Sequence, residues 1–249
     1  MRPDTATLLA RLLENAEARP DALAYAFLPE MGDECIKLVE KHVDAARSPL
    51  AARSDWYVLL ELSSSSNEQA LLDQIESLLE TAMENEWIAD AAISSSIAQF
   101  NAIWSLREDI SEAQAAEGKT IKHDISLPIS VIPSFIEQVT QQLLDRFANV
   151  RMVVFGHLGD GNLHFNLSPV SSLDKSQVQA FTEIETEVNK LVHDAVNDRK
   201  GSISAEHGLG VLRRDEASRY RGATESRLME ILKKSFDPKS LMNPGKVIS

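Results

Sequence analysis

The stretch Val153-Val154-Phe155-Gly156-His157-Leu158-Gly159-Asp160-Gly161-Asn162-Leu163-His164-Phe165-Asn166 decides the fold. Apolar runs flank Asp160-Gly161, a dipeptide suited to a type I′ turn because both central residues need positive φ. The second run alternates polar and apolar residues, the period of a strand. An antiparallel hairpin is expected. Centred on Asp160-Gly161, it sets His157 directly opposite His164. Cross-strand Cβ atoms about 4.5–5.5 Å apart would let two imidazoles share one metal ion. Asn166, two residues beyond His164, would project from the same face.

A third ligand is expected from Gly201-Ser202-Ile203-Ser204-Ala205-Glu206-His207-Gly208-Leu209-Gly210, read as a short strand over 202–204 entering a glycine-framed loop. Glu206 would complete a two-His, one-carboxylate set with positions open for substrate. His207 would stand beside the ion as a base. Histidines in turns and cores are often only structural, but here three of six fall in two glycine-rich polar motifs, which favours a site. In Trp104-Ser105-Leu106-Arg107-Glu108-Asp109-Ile110-Ser111, Arg107 and Ser111 share a helix face. Arginine suits bidentate carboxylate recognition. With Glu108 and Asp109 adjacent, however, sequence alone favours an ordinary solvated Arg107. Lys122 reads either way. His123 reads as structural, and Cys35 as buried rather than nucleophilic.

Outward from this centre, helical spacing predicts helices over 6–17, 34–45, 67–86, 96–117, 130–148, 175–198 and 211–235. Strands are expected at 56–62, 91–93, 119–127, 152–155, 163–167 and 202–204, with a terminal turn at Pro244-Gly245. Strands and long helices alternate, and a close hairpin argues against an all-parallel sheet. The fold class is α+β: an antiparallel or mixed sheet with ferredoxin-like β/α units, covered by long helices. No G-x-G-x-x-G or P-loop occurs. Gly208-Leu209-Gly210 lacks the third glycine at Arg213.

The 249 residues carry 25 Lys+Arg against 38 Asp+Glu, a net charge of −13. That balance argues against nucleic-acid binding. Neither a signal peptide nor an 18-residue apolar span is present, and one cysteine excludes an internal disulfide. A cytoplasmic setting is expected. Charge is uneven, because residues 199–249 hold 11 basic against 6 acidic side chains. Such a tail suits a solvated helix face better than an anionic partner.

GHLGDGNLHFN (156–166), ISAEHGLG (203–210) and FDPKSLMNPGKVI (236–248) together resemble the C-terminal domain of FAD-linked oxidases, with WYVLLELSS, WSLRE and KHDISLP in matching order. Within that group the chain is most similar to D-2-hydroxyglutarate and D-lactate dehydrogenases. The resemblance implies that the whole chain, 1–249, is a substrate- and metal-binding domain whose N-terminal FAD-binding domain is absent. It implies oxidation of a small D-2-hydroxy acid to the 2-oxo acid with FAD as hydride acceptor. It also implies a divalent metal, zinc being the expected ion, held by His157, His164 and Glu206. His207 would be the catalytic base. Arg107, Ser111, Lys122 and Asn166 would bind substrate, and Asn243 would lie near the flavin. The expected partners are the hydroxy acid and an FAD-binding domain or subunit, with a homodimer conceivable. Isolated, the chain is expected to be inactive. A non-catalytic hydroxy-acid or metal-binding module, a split subunit needing a separate FAD protein, and a metal hydrolase remain alternatives.

Overall fold

The computed structural model describes residues 25–27, 29–63, 68–157, 159–171 and 173–248. The helix expected over 6–17 lies outside them. In chain order, β1 (Tyr25–Phe27) and β2 (Pro29–Gly32) lead to α1 (Asp33–His42), β3 (Trp56–Val58), β4 (Glu61–Ser63) and α2 (Glu68–Glu84). Then come α3 (Ile97–Glu108), α4 (Ile110–Ala116), β5 (Asp124–Ser126) and α5 (Ile132–Arg146). The hairpin is β6 (Val150–His157) and β7 (Asn162–Pro169). The chain continues through α6 (Lys175–Glu183), α7 (Glu185–Asp198), α8 (Arg214–Tyr220) and α9 (Ala223–Phe236).

The main sheet has the order β3-β2-β6-β7-β5, antiparallel throughout, and β1 and β4 form a separate two-stranded ribbon. The expected α+β class with an antiparallel sheet under helices is what the chain adopts. Alternation in β7 sorts side chains onto two layers. Leu163, Phe165 and Leu167 join Val150 and Val154 of β6 against Phe135, Val139 and Leu143 of α5 and Val188, Val192 and Val196 of α7. On the other face, Val153 and Phe155 pack against Cys35, Leu38 and Val39 of α1, Leu106 of α3 and Ile110 and Ala113 of α4. Cys35 is buried as expected, and burial pushes its thiol up to about 12, so it is inert. Opposite β7, that second face is polar: Asn162, His164, Asn166 and Ser168 occupy the alternate positions. The site grows from this stripe.

Several boundaries differ from expectation, each for a local reason. The run 56–62 divides between two sheets, because the chain leaves the main sheet after Val58 and pairs with β1 from Glu61. The 96–117 helix breaks at Asp109, whose carboxylate takes the Ser105 hydroxyl. The 211–235 helix breaks at Arg221-Gly222, and 175–198 breaks at Ile184. Residues 91–93 are coil, and 202–204 contributes a single bridge from Ser202 to Ser126. Of 119–127, only Asp124–Ser126 is strand, preceded by an isolated bridge from Ile121 to Leu167.

The hairpin itself forms with a longer loop than a two-residue turn. His157 pairs with Asn162, and Phe155 with His164. Thus His157 does not oppose His164 directly; the register has moved by two residues. Because side chains alternate with period two, an even shift leaves both histidines on one face as diagonal neighbours. The loop is pinned at both ends. Asp160 Oδ1 accepts the Asn162 amide at 2.8 Å, and the Gly161 carbonyl accepts the Leu127 amide at 3.0 Å. Gly161 has φ +74°, and a Cβ there would lie 2.2 Å from the Leu127 carbonyl oxygen. Gly161→Ala should therefore cost about 1–3 kcal/mol in urea denaturation. Gly159→Ala, which meets nothing within 4 Å, should stay within about 0.5 kcal/mol of wild type.

Candidate functional site

Three chain segments meet on the polar stripe of β7. The first is β5, where Asp124 pairs with His164. The second is the loop after Ser202, drawn alongside β5 by the Ser126–Ser202 bridge and by the Ala205 amide bonding to the Asp124 carbonyl at 3.1 Å. The third is the α3–α4 pair on the overlying layer. Together they bring Glu206 and His207 over the end of the sheet.

There the Asp124 carboxylate organises the loop. Its Oδ2 accepts the Glu206 amide at 3.0 Å and the His207 amide at 2.8 Å, and lies 3.5 Å from His207 Nδ1. Its Oδ1 is buried, has no hydrogen-bond partner and stands 4.0 Å from His164 Nδ1. Glu206 Oε1 takes the Asn162 side-chain amide at 2.5 Å and sits 3.9 Å from His157 Nδ1. Among the described residues, Asp124, His164 and Glu206 form a group whose donor atoms all lie within 4.8 Å of one another. One imidazole nitrogen with two carboxylates suits a borderline divalent ion such as zinc or manganese. The partnerless Asp124 oxygen is the kind of orphan that such an ion would satisfy.

Of the expected triad, His164 and Glu206 fall in this group, and His157 lies beside Glu206. The far nitrogen of His157 is engaged elsewhere: Arg107 Nη2 is 3.1 Å from Nε2. Guanidinium can only donate, so Nε2 accepts and the neutral ring carries its proton on Nδ1, facing Glu206. Burial and the Arg107 charge hold the His157 pKa below the ordinary value. Burial does the same at His164, against the opposing pull of Asp124 and Glu206. Both histidines are thereby kept neutral, the form that ligates metal.

Arg107 is not the solvated residue that sequence alone favoured. It is half-buried, its guanidinium lies 4.8 Å above the Phe155 ring, and its Nε is buried without a partner. Phe155 in turn lies against His164, ring centroids 4.6 Å apart. A cleft of about 180 Å³ opens beside Phe155 and His164, lined by Ser111, Lys122, Asn166, His207 and Arg213 among others, while Arg107 lies behind Phe155 and is not part of the lining. Ser111, Lys122 and His207 are exposed at its rim. Asn166 is buried and committed: Oδ1 accepts the His123 amide at 3.1 Å and Nδ2 donates to Gln114 Oε1 at 3.0 Å. Asn243 does not line the cleft. It has φ +47° in an exposed turn of the terminal segment, which Val247 N ties to Gly210 O at 3.0 Å. A larger cavity, about 370 Å³, lies against α2 and α3. Its lining, which includes Leu71, Ile75, Leu78 and Phe100, contains no histidine, whereas His123, His164 and His207 all line the smaller cleft.

Sequence reasoning missed Asp124, Gln114 and Arg213. Asp124 alternates correctly for the His164 face, but only the non-local β5–β7 pairing brings it there. Arg213 Nη1 lies 3.0 Å from His193 Nε2, and its Nη2 donates to Lys122 O at 2.9 Å. His193 lies edge-on to His123, centroids 5.3 Å apart.

Residues 13–247 match the family described as FAD linked oxidases, C-terminal domain. The chain belongs to this family. It is 35% identical over 202 residues to the D-2-hydroxyglutarate dehydrogenase of Stutzerimonas stutzeri, covering 81% of this chain and 42% of that protein. It is 34% identical over 225 residues to the mitochondrial D-2-hydroxyglutarate dehydrogenase of Arabidopsis thaliana, covering 90% and 38%. A putative mitochondrial D-lactate dehydrogenase of Schizosaccharomyces pombe is 33% identical over 220 residues, covering 85% and 40%. The chain thus spans about two-fifths of the length of these relatives. An alkyldihydroxyacetonephosphate synthase structure superposes with TM-score 0.51 at 12% identity, covering 97% of this chain and 43% of that one, which supports the fold.

His123, expected to be structural, is buried with Nδ1 2.8 Å from Phe165 O. Burial first, then the His193 charge, push its pKa down to about 3 from 6.5. Between those values the unfolded chain binds the proton and the folded chain does not, so stability rises with pH and is lost as pH falls below about 6.5. Urea midpoints should drop steeply from pH 7 to pH 5. In His123→Phe the drop should be shallower by on the order of 1–2 kcal/mol.

Proposed function

We propose that this chain is the substrate- and metal-binding part of an FAD-dependent dehydrogenase that oxidises a D-2-hydroxy acid to the 2-oxo acid. The observation that carries this reading is the convergence of His164, Glu206, Asp124 and His207 at the mouth of a polar cleft in a chain of the FAD-linked oxidase family. Its relatives' names include D-2-hydroxyglutarate and D-lactate dehydrogenases.

His164 and Glu206, with Asp124 completing the set, would hold a divalent ion, zinc fitting the donors; His157 could join only by giving up the Arg107 contact that occupies its Nε2. A bound ion supplies Lewis-acid polarisation of substrate oxygens, and FAD supplies the acceptor for the hydride leaving C2. The residues of this chain do the rest. His207, exposed at the rim, receives the proton of the substrate hydroxyl, so that the alcohol carbon loses a hydride and its oxygen a proton. Ser111, Lys122 and Asn166 line the cleft where substrate would lie. Arg107 presents a buried, unpartnered Nε–H. Burial lowers its pKa, an effect that Cys35, Glu206 and Glu108 only partly oppose. A substrate carboxylate would supply the missing anion, which favours a diacid of the 2-hydroxyglutarate type over lactate.

The flavin itself is assigned to a further FAD-binding unit, in line with the greater length of the relatives. An uncovered apolar stripe on α9 supports such a partner: Leu228, Ile231, Leu232 and Phe236 are all exposed, as are Leu212 and Leu241 nearby in sequence. Asn243, in the same exposed terminal region, is the residue of this chain proposed to approach the cofactor.

The test combines this chain with the FAD-binding part of a relative and follows dye reduction. Turnover of D-2-hydroxyglutarate is expected only in the combination. Arg107→Ala should lower kcat/KM for the diacid roughly ten- to a hundredfold, the value of a charge-assisted hydrogen bond of about 1.5–3 kcal/mol, and leave D-lactate much less affected. Equal losses on both acids would remove Arg107 from the distal carboxylate. Turnover by this chain with free FAD alone would show that no second unit is needed.

A further inference from the structure

We infer that Asp124 is the positioning residue of the site: its carboxylate holds the Glu206–His207 loop over His164 and orients the His207 ring. This rests on the metal- and proton-handling roles proposed above for Glu206 and His207. The other ties on the loop lie at its ends or on a side chain: the Ala205 amide bonds the Asp124 carbonyl, Val247 N bonds Gly210 O, and Glu206 Oε1 takes the Asn162 side-chain amide. Gly208 and Gly210 have positive φ, nothing surrounds either within 4 Å of a would-be Cβ, and Glu206 and His207 are exposed. The backbone of the two residues is held by a single carboxylate oxygen accepting both consecutive amides, at 3.0 and 2.8 Å. The same oxygen stands 3.5 Å from His207 Nδ1. A carboxylate there favours the tautomer with the proton on Nδ1, leaving Nε2 free to take a proton from substrate.

Asp124 is itself rigidly placed. Its side chain is 10% exposed and its backbone lies in β5, directly across from His164. Its second oxygen, buried and without a hydrogen-bond partner, is turned to His164 Nδ1 at 4.0 Å. One carboxylate thus meets His164 and the Glu206-His207 pair, which lie 40 or more positions from it and from each other in the chain. Asp124 acts on the site twice, holding the loop with one oxygen and offering the other to the ion, and loss of even an orienting partner costs about 10–100-fold in metal affinity.

The experiment uses the full chain, metal-free and with zinc alone, as wild type and Asp124→Asn. Asparagine keeps the shape but offers a neutral acceptor. In wild type, the Glu206 and His207 amides should exchange with solvent more slowly than Gly208, whose amide has no such acceptor. In the variant, both should lose about tenfold in protection, zinc affinity should fall roughly 10–100-fold, and side-chain nitrogen NMR should show His207 shifting from the Nδ1–H tautomer. Far-UV circular dichroism and the thermal midpoint should change little. Fast exchange at 206 and 207 already in wild type would overturn the inference without any variant. So would a variant that keeps protection, tautomer and zinc affinity within twofold. If wild type binds no zinc yet shows the protection and tautomer bias, and the variant loses both, the metal reading fails and the positioning role stands.

Discussion

The structure depends on one strand pairing, β6 against β7, and on the glycines that let it close. A Cβ at Gly156 would lie 2.2 Å from the Asn162 carbonyl oxygen, and one at Gly161 the same distance from the Leu127 carbonyl oxygen. These close approaches fix the register that sets Phe155 across from His164. Once set, alternation does the sorting. Leu163, Phe165 and Leu167 go to the core under α5 and α7; His164 and Asn166 go to the other face. A slip by one residue would exchange the two sets and destroy core and site together.

Charge placement follows from that geometry. Buried polar groups around the cleft are tied to one another rather than to solvent. Asn166 is held by Gln114 and the His123 amide. His193 lies between Arg213 and Glu216, 3.0 Å from one and 2.6 Å from the other, which couples α7 to α8. Farther out, Glu117 joins α1, α4 and β6. Burial pushes its carboxyl up, but Lys41, His42 and Arg151 hold it at about 2. What these networks leave unmatched is informative. Arg107 Nε and Asp124 Oδ1, a buried donor and a buried acceptor, are without partners on the same face of the sheet. The carboxylate and the divalent ion proposed above would satisfy these two, which are among several buried polar atoms without hydrogen-bond partners in the described residues.

Much of this was legible in the sequence, because the relevant signals are local. The Asp-Gly turn, the period-two alternation of 162–168 and the glycine frame of 201–210 each speak through neighbours in the chain. They gave the hairpin, the shared face of His157 and His164, and the approach of Glu206. The error of two residues in register came from taking Asp160-Gly161 as the whole turn, when Gly161 is engaged with Leu127 of a distant segment. Arg107 was misread for a similar reason: Glu108 and Asp109 are adjacent in sequence, but the guanidinium turns inward to His157 and Phe155. Asp124 was invisible as a site residue, since nothing local says that β5 pairs with β7. Helix breaks at Asp109 and Ile184 were also missed, because apolar periodicity runs through a break when both segments pack on the same layer, as Leu106 and Ile110 do on one face and Phe181 and Val188 on the other; the break at Arg221 was missed as well.

The central claim is that His164 and Glu206, brought together by β7 and the loop after Ser202, bind a divalent ion. Anomalous diffraction from crystals grown with zinc tests it most directly. The account predicts one strong peak within coordination distance of His164 and Glu206, on the His157–Asp124 face of the sheet. A saturated crystal with no peak there, or with its only ordered zinc on another surface, would contradict it.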